Sequence, residues 1–320
     1  MKLEKSLYGL KQAPHVWNAT IDNRLKLLGF NSLISDPCVY IRGCRESFVM
    51  LTLYVDDILV TGGSNEAIDK VRSTLMTEFS MSDLGDVSET LGIQITRDLE
   101  AGTISLSQEK YVEAILERFG MKDCKPVSTP GTGKELVGKP EGSEYLDEKE
   151  TKEYQGLIGS LIFLTTNTRF DIAFAVMQSA RFMSKPTSGH MIAAKHPERS
   201  RSTTSTMFFL SGGLVHFSSQ LQKLVAQSTT EAELIALNSC AKSGIYLLGV
   251  LQDLGWRNFK DFQIYCDSQG ALVLAGNSKY SSRSKHVALK FANLREWVEE
   301  KKLVLNFVSS KNQLSDIMTK

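Results

Sequence analysis

Two adjacent aspartates are the first feature of this sequence that could do chemistry. Asp56 and Asp57 interrupt an apolar stretch, in the string LTLYVDDILV that begins at position 51. Two carboxylates so close together cannot both be buried without a cation, and oxygen-rich sites of this kind suit Mg²⁺ that also binds substrate phosphates. A bare pair of aspartates is more often a solvated turn. The sequence around the two aspartates is therefore needed to distinguish a metal site from a solvated turn.

Those residues predict a tight β-hairpin with both carboxylates at its tip. Phe48–Tyr54 is rich in strand-forming residues, and the apolar pattern resumes at Ile58–Val60. From Ser64 onward the apolar residues recur at helical spacing, with Ser64 as the N-cap. A second hairpin and an amphipathic helix are predicted further along, at Leu91–Thr96 with Thr103–Leu106 and at Glu109–Phe119.

The second half of the chain predicts helices first and then an α/β sheet domain. Residues 125–150 are rich in proline, glycine and charge, which indicates a linker. Beyond them the patterns predict two helices, Tyr154–Phe163 and Asp171–Met183, then a long helix from Thr230 to Leu254 that starts with the capping box Ser228–Glu231. The predicted strands are Met207–Leu210, Leu214–Ser218, Phe262–Cys266 and Leu303–Val308, with helices between them and a terminal helix from Asn312.

Composition sets limits on the kind of protein this is. With 320 residues, 42% hydrophobic and 23% charged, the chain can form two domains with hydrophobic cores. No membrane-spanning segment is expected, because Asp56 and Asp57 break the longest apolar candidate, Phe48–Val60. Five scattered cysteines indicate reduced, mostly buried thiols and no zinc motif. A net charge of +1 gives no global attraction to nucleic acid, so any such surface must be local.

Several strings resemble the Pol polyprotein of copia-type LTR retrotransposons along nearly the whole chain. Tyr54–Asp57 is similar to the YVDD box of reverse transcriptases, and SLYGLKQAP from Ser6, followed by Trp17, resembles a copia segment. Leu91–Ile95 resembles the segment that grips the primer end. The resemblance implies that Asp56 and Asp57 are catalytic metal ligands and that Gln12 binds nucleotide or nucleic acid.

The C-terminal strings resemble the ribonuclease H domain of the same family. They are AQSTTEAE from Ala226, YCDSQ from Tyr265, SKH from Ser284 and QLSDI from Gln313. Such domains hold two Mg²⁺ ions with four carboxylates, one ion activating water and the other stabilising the leaving oxygen. Carried over by position, the resemblance assigns Glu233, Asp267 and Asp316 as catalytic metal ligands, whereas Glu231 is a capping residue.

The sequence departs from the family in two places. Family members carry a finger subdomain and a palm strand with another metal-binding aspartate before the LKQAP segment, and this sequence starts after both. After His190–His196 the family continues with a strand of the form YSDADWAG, whereas this sequence continues with PERSRSTT from Pro197. That strand is the central one and bears the first catalytic aspartate, so its loss predicts an inactive, poorly packed domain with incomplete Mg²⁺ sites.

A basic cluster near the C-terminus is the local candidate for binding a nucleic acid. Its members are Lys279, Arg283, Lys285 and His286, and the phosphates of an RNA–DNA hybrid or primer–template would be the ligand. Charge runs of this kind also occur as ordinary solvated surface. The resemblance further implies other Pol or Gag products as partners and no association with a membrane. It also implies a cytoplasmic localisation within a virus-like particle, or a nuclear localisation.

The expected fold is α/β and α+β, a partial reverse-transcriptase palm and thumb followed by a ribonuclease H-like mixed sheet without its first strand. Residues 1–124 are the partial reverse transcriptase, 125–150 the linker, 151–196 connection helices and 197–320 the truncated ribonuclease H-like domain. The predicted function is a defective RNA-directed DNA polymerase and ribonuclease H. The alternatives are a non-catalytic nucleic-acid-binding remnant and the product of a wrongly predicted pseudogene.

Overall fold

The computed structural model describes residues 10–124, 144–194, 203–222, 228–256, 262–276 and 291–319. The chain forms two compact units. Unit 1 comprises Met1–Val87 and Ile245–Lys260, and unit 2 comprises Ser88–Gly244 and Asp261–Lys320.

Unit 1 is a four-stranded antiparallel sheet with two helices. Its elements are α1 Ala13–Leu27, β1 Asn31–Ser32, β2 Val39–Arg42, β3 Val49–Tyr54, β4 Asp57–Gly62 and α2 Asn65–Glu78, with the strands in the order β1-β2-β3-β4. The strand period of two places Val49, Leu51 and Leu53 on one face of β3, where all are buried. The predicted hairpin is confirmed, and so is the Ser64 cap, whose Oγ accepts from the Ala67 N–H at 3.2 Å.

The first part of unit 2 is a small antiparallel sheet and a group of helices. Its elements are β5 Glu89–Thr90, β6 Ile93–Asp98, β7 Thr103–Ser107, α3 Glu109–Arg118, α4 Glu148–Asn167, α5 Ala173–Ala180 and α6 Ser188–Ala194, with a 3₁₀ turn at Phe170–Ile172. Helix α4 starts earlier than predicted, because Asp147 and Glu150 form a capping box ahead of the apolar residues. Tyr154 is fully buried, and its hydroxyl donates to the carbonyl of Ser179 at 2.7 Å.

The described strands in the rest of unit 2 form two separate pairs instead of one mixed sheet. The elements are β8 Thr203–Leu210, β9 Gly213–Leu221, α7 Thr229–Asp253, of which the part from Ile245 onward is assigned to unit 1, β10 Phe262–Cys266, α8 Gln269–Gly276, α9 Ala292–Glu299 and β11 Leu303–Phe307, with 3₁₀ turns at Ser310–Asn312 and Leu314–Met318. Strands β8 and β9 pair antiparallel, and β10 and β11 pair parallel. The rings of Phe208 on β8 and Phe262 on β10 lie 5.9 Å apart, so the two pairs are neighbours that do not share a ladder.

Helix α7 has the predicted length, and its bounds lie one residue earlier than predicted at each end. Its 25 residues are, by length and composition alone, enough to cross a membrane, and within the described part of the chain it is the one helix of which this is true. Leu234, Leu237 and Ala241 on one face are buried, and Gly244 faces the ring of Phe262 so closely that a Cβ would lie 2.4 Å from it. A helix that packs against a strand in this way passes the same test, so the test does not indicate a membrane span.

Candidate functional site

The tip of the β3–β4 hairpin presents the two adjacent aspartates to solvent. Tyr54 pairs with Asp57, which leaves Val55 and Asp56 as the two residues of the turn. All four side chains are exposed. Two carboxylates on an exposed turn lack the enclosure that a tight cation site needs, so this tip can bind a metal ion firmly only together with ligands from elsewhere.

The turn has a strained backbone that a tryptophan holds in place. Val55 has a φ of +53°, a left-handed conformation that is costly for a β-branched residue. The indole N–H of Trp17 on α1 donates to the carbonyl of Val55 at 2.7 Å, and the Trp17 ring packs edge-on against Phe79, 5.6 Å between centroids. Strain that persists against a fixed support is typical of functional turns. Gln12 is the residue directly before α1. Its side chain is exposed and does not cap the helix.

The second candidate site joins residues from two distant parts of the sequence. Ligand atoms of Glu233, Cys266 and Asp267 all lie within 4.8 Å of one another. Glu233 lies in the first turns of α7, which begins where Ser228 Oγ accepts from the N–H of Glu231 at 3.1 Å. This capping bond agrees with the interpretation of Glu231 as part of a capping box. The structure therefore brings Glu233 and Asp267, both predicted metal ligands, together.

The chain bends at the end of β10, and this bend aims Cys266 and Asp267 at the same place. In a straight strand neighbouring side chains point to opposite faces. Here the N–H of Ser268 donates to Cys266 Sγ at 3.4 Å, and Ser310 Oγ donates to Asp267 Oδ2 at 2.7 Å. Both ligand atoms are thus held in position by a neighbouring donor.

The electrostatics of this group keep its thiol neutral. The pKa of the Cys266 thiol is raised, and burial is the largest cause. The hydrogen bond from the Ser268 N–H lowers this pKa in part, and the charges of Glu233 and Asp267 raise it further. Burial, with a smaller effect from Cys266, raises the pKa of Cys240 on α7 to about 12. The two thiols are therefore close enough to interact, and both are protonated at neutral pH.

Asp316, the third predicted ligand, belongs to the terminal segment of the chain. It is outside the set of ligand atoms formed by the described residues Glu233, Cys266 and Asp267. Asp316 belongs to the 3₁₀ turn Leu314–Met318, which packs on β8: Ser205 Oγ donates to the carbonyl of Ser315 at 2.8 Å, and Met318 is fully buried. The same segment reaches β10, where the Gln313 amide donates to the carbonyl of Tyr265 at 3.4 Å.

That last contact identifies the edge of β10 on which the terminal segment lies. The carbonyl of Cys266 accepts from the N–H of Val308, so the backbone N–H and carbonyl of Cys266 face β11. Successive residues of a strand point their backbone groups to opposite edges, which places the carbonyl of Tyr265 on the edge away from β11. The terminal segment therefore contacts β8 and the outer edge of β10 together.

Sequence analysis did not identify Cys266 as a site residue, and it treated all five cysteines alike. Its position directly before Asp267, at the end of a strand, was the available signal. Lys279, Arg283, Lys285 and His286, the predicted nucleic-acid-binding cluster, lie outside the described residues, so their assignment stays a prediction.

The chain is similar to one protein-family model and to several individual proteins. A family model described as reverse transcriptase (RNA-dependent DNA polymerase) matches residues 1–132. The retrovirus-related Pol polyprotein from transposon TNT 1-94 of Nicotiana tabacum is 37% identical over all of this chain and 27% of its own length. The corresponding polyprotein from transposon RE1 of Arabidopsis thaliana is 32% identical over all of this chain and 24% of its own length. An uncharacterised mitochondrial protein of Arabidopsis thaliana is 34% identical over 58% of this chain and 89% of its own length.

The matched regions differ in length from both the relatives and this chain. This chain spans about a quarter of the two polyproteins. The match with the tobacco protein runs over 356 positions, 36 more than the 320 residues of this chain. The tobacco protein therefore has residues inside the matched region that have no counterpart here. No solved structure matches the chain.

Proposed function

This chain belongs to the family of copia-type retrotransposon Pol polyproteins, and from that premise we propose that it is a reverse transcriptase and ribonuclease H segment whose chemistry is incomplete. Its substrates in this proposal are primer–template and RNA–DNA hybrid. Its place is the cytoplasm, within the particle of an intact element together with other Pol and Gag products, or the nucleus.

In the polymerase half, the proposed site is the hairpin tip with Asp56 and Asp57. Reverse transcriptases use divalent metal ions, and carboxylate oxygens are the ligands that Mg²⁺ prefers. Trp17 holds the strained turn, which fixes where the two carboxylates point. Phosphoryl transfer also needs a carboxylate from a separate strand to clamp the ions, so these two side chains form part of a site and do not extend a primer by themselves.

In the ribonuclease H half, Glu233 and Asp267 are the proposed metal-binding pair. Their approach to within 4.8 Å, from positions 34 residues apart, is the observation that carries this proposal. The donor set only partly fits Mg²⁺, which needs oxygen ligands in octahedral geometry. Two carboxylates are present, but the third donor is sulfur, and Asp316 is not a member of the group. We therefore assign no hydrolysis step to this group.

The separation of the two described strand pairs supports the proposed defect. A mixed ribonuclease H sheet needs a strand between β8 and β10, and the sequence lacks the family's YSDADWAG segment at the corresponding point, between His196 and Thr203. The missing strand would also have supplied an aspartate. Each buried backbone group left without its partner costs about 1 to 3 kcal/mol, which is a large share of a domain's stability when several are lost.

The test is cleavage of the RNA strand in an RNA–DNA hybrid by the purified chain with Mg²⁺, beside the variant Asp267→Asn. We expect no cleavage from either protein, although circular dichroism shows both to be folded. Cleavage that Asp267→Asn abolishes would overturn the proposed defect, because another group would then have replaced the missing aspartate. Binding of the hybrid that weakens with salt and is unchanged in Asp267→Asn would favour a non-catalytic nucleic-acid-binding remnant.

A further inference from the structure

We propose that the outer edge of β7, together with the cavity at the end of that strand, binds an extended peptide of a partner protein that carries an arginine. This surface lies in the first part of unit 2 and shares no residue with either candidate site. The proposal is therefore independent of the proposed function, and it concerns protein recognition instead of phosphate chemistry.

Strand β7 has backbone groups that are free to pair. It is the last strand of the sheet β5-β6-β7, so within the described residues it has a ladder on one edge only. Ile95 on β6 lies opposite Leu106, and its N–H donates to the carbonyl of Ser88, directly before β5, at 2.8 Å. Opposite residues of an antiparallel pair either bond to each other or both point away. Leu106, and Ile104 two residues before it, therefore direct their N–H and carbonyl groups to the outer edge.

This edge is open to solvent. The side chains of Thr103–Leu106 are all exposed, including two large apolar ones on the same face, Ile104 at 66% and Leu106 at 56%. An exposed strand edge can take an extended peptide as a further strand. In such complexes the main-chain hydrogen bonds supply affinity, and pockets beside the edge select particular side chains.

A cavity of about 440 Å³ lies where β7 ends and α3 begins, and it contains an unpaired buried donor. Gln108, which lines the cavity, is only 3% exposed. Its amide oxygen accepts from the hydroxyl of Thr168 at 2.8 Å, whereas its amide nitrogen has no hydrogen-bond partner. A buried N–H without an acceptor destabilises a fold, and native proteins rarely leave one. The unpaired N–H therefore points to a carbonyl supplied by a ligand.

Two acidic side chains at the same cavity determine the charge of that ligand. Glu109 and Glu113 lie four residues apart on α3, where like charges repel, and neither is in an ion pair within the described part of the chain. Arg169 also lines the cavity, but two hydrogen bonds of 2.8 Å already pair it with Asp171. The unbalanced negative charge favours a basic side chain and repels the phosphates of a nucleic acid.

These features together fit an extended basic peptide. Its main chain pairs with the outward groups of Ile104 and Leu106, and one of its carbonyls accepts from the amide of Gln108. Its basic side chain enters the cavity beside Glu109 and Glu113. Arginine suits two carboxylates better than lysine does, because its planar head group presents five N–H donors and keeps its charge.

Binding of a short peptide to the isotope-labelled full chain, followed by NMR, tests the proposal. The probe is acetyl-Val-Thr-Val-Arg-Leu-amide, and the matched peptide carries neutral citrulline in place of arginine. Ile104→Pro removes an outward N–H without removing a bond to β6, and its control Ile104→Thr keeps that N–H. Glu113→Gln removes a carboxylate at the cavity. Its control is Glu117→Gln, one turn further along α3, where the carboxylate pairs with Lys122 instead.

We expect saturable shifts of the Leu106 N–H and of the Gln108 side-chain N–H signals when the arginine peptide is added. Citrulline in the peptide, or Glu113→Gln in the chain, should weaken binding by about fivefold. Ile104→Pro should weaken binding by about tenfold, since it removes a main-chain bond and blocks the approach of a strand. The two control variants should bind the arginine peptide as the original chain does.

Three results would overturn the proposal: no saturable shift in a folded chain, equal binding of the citrulline peptide, or undiminished binding by Ile104→Pro. Shifts of the same two signals by primer–template or inorganic phosphate, without any effect of the peptide, would also overturn it. They would show that this surface binds phosphate groups and that the two carboxylates do not select a basic ligand.

Discussion

The two candidate sites differ in how far apart their residues lie in the sequence. At the hairpin tip, Asp56 and Asp57 are neighbours, and one turn between two paired strands places them. In unit 2, Glu233 and Asp267 come from a helix and from the end of a strand, and Asp316 does not join them. A site built from adjacent residues needs only its own hairpin, whereas a site built from distant residues needs the whole sheet that carries them.

The sheets behind the two sites differ accordingly. Strand β3 lies between β2 and β4, so its backbone groups are bonded on both edges. Strand β10 has a ladder on one edge only within the described part of unit 2, and its other edge is contacted by the terminal segment through Gln313. Among the described residues, the strand behind the hairpin site is therefore bonded on both edges, whereas the strand behind the second site has a ladder on one edge.

The largest expected effect tests the support of the hairpin. Leu51 on β3 is fully buried, so Leu51→Ala should lower the free energy of unfolding of the chain by about 3 kcal/mol, through lost burial and the cavity that remains. Urea denaturation measures this. The control is Ile34→Ala, whose side chain is 94% exposed and whose loss should change stability by less than about 0.5 kcal/mol. Equal effects of the two changes would show that β3 does not lie in a packed core.

The next effect compares the two strands directly. Amide hydrogens of β3 should exchange about 100-fold more slowly than the N–H groups of Gln263 and Tyr265, which point to the outer edge of β10. Hydrogen exchange followed by NMR measures this residue by residue. Equal protection of β3 and the outer edge of β10 would contradict the difference between the two sheets.

A smaller effect concerns strain at the hairpin tip. Val55→Gly should raise the free energy of unfolding by up to about 1 kcal/mol, because glycine adopts the φ of +53° without a Cβ clash. The matched control is Val60→Gly on β4, which should lower stability because glycine weakens a strand. Thermal denaturation of both variants measures the two changes in stability. Destabilisation by Val55→Gly would show that the turn is not strained.

A further change of similar size tests the support of that turn. Trp17→Phe removes the hydrogen bond from the indole N–H to Val55 and keeps an aromatic ring beside Phe79, so it should cost about 1 kcal/mol. Urea denaturation measures the loss. A double variant with Val55→Gly should lose less than the single change, since the turn then needs less support, and strict additivity would contradict this coupling.

The smallest effect is a pH dependence in unit 2. Burial raises the pKa of Asp171, but the hydrogen bonds and charge of Arg169 outweigh it and hold that pKa below its ordinary value. The unfolded chain therefore takes up the proton first, so the contribution is present above a pH of about 4 and disappears as the pH falls further. Asp171→Asn should cost at most about 0.5 kcal/mol at pH 7 and nothing at pH 2. A loss that is the same at both pH values would contradict this.

Local sequence patterns predicted most of the elements. The YVDD hairpin, the cap at Ser64 and the strand that ends before Asp267 are confirmed, because each depends on residues that are close in the sequence. The approach of Cys266 to Glu233 was not predicted, because it joins the end of a strand to a helix that is distant in the sequence. The position of Asp316 was equally beyond local pattern, because packing of Met318 and Ser315 on β8 determines it.

The most direct test of the account is to restore the missing segment. The family's YSDADWAG strand segment would be inserted between His196 and Thr203, and cleavage of an RNA–DNA hybrid with Mg²⁺ would be measured for the original and restored chains. The account predicts cleavage by the restored chain alone and its loss with Asp267→Asn. Cleavage by the original chain at the same rate, or a folded restored chain without cleavage, would contradict it.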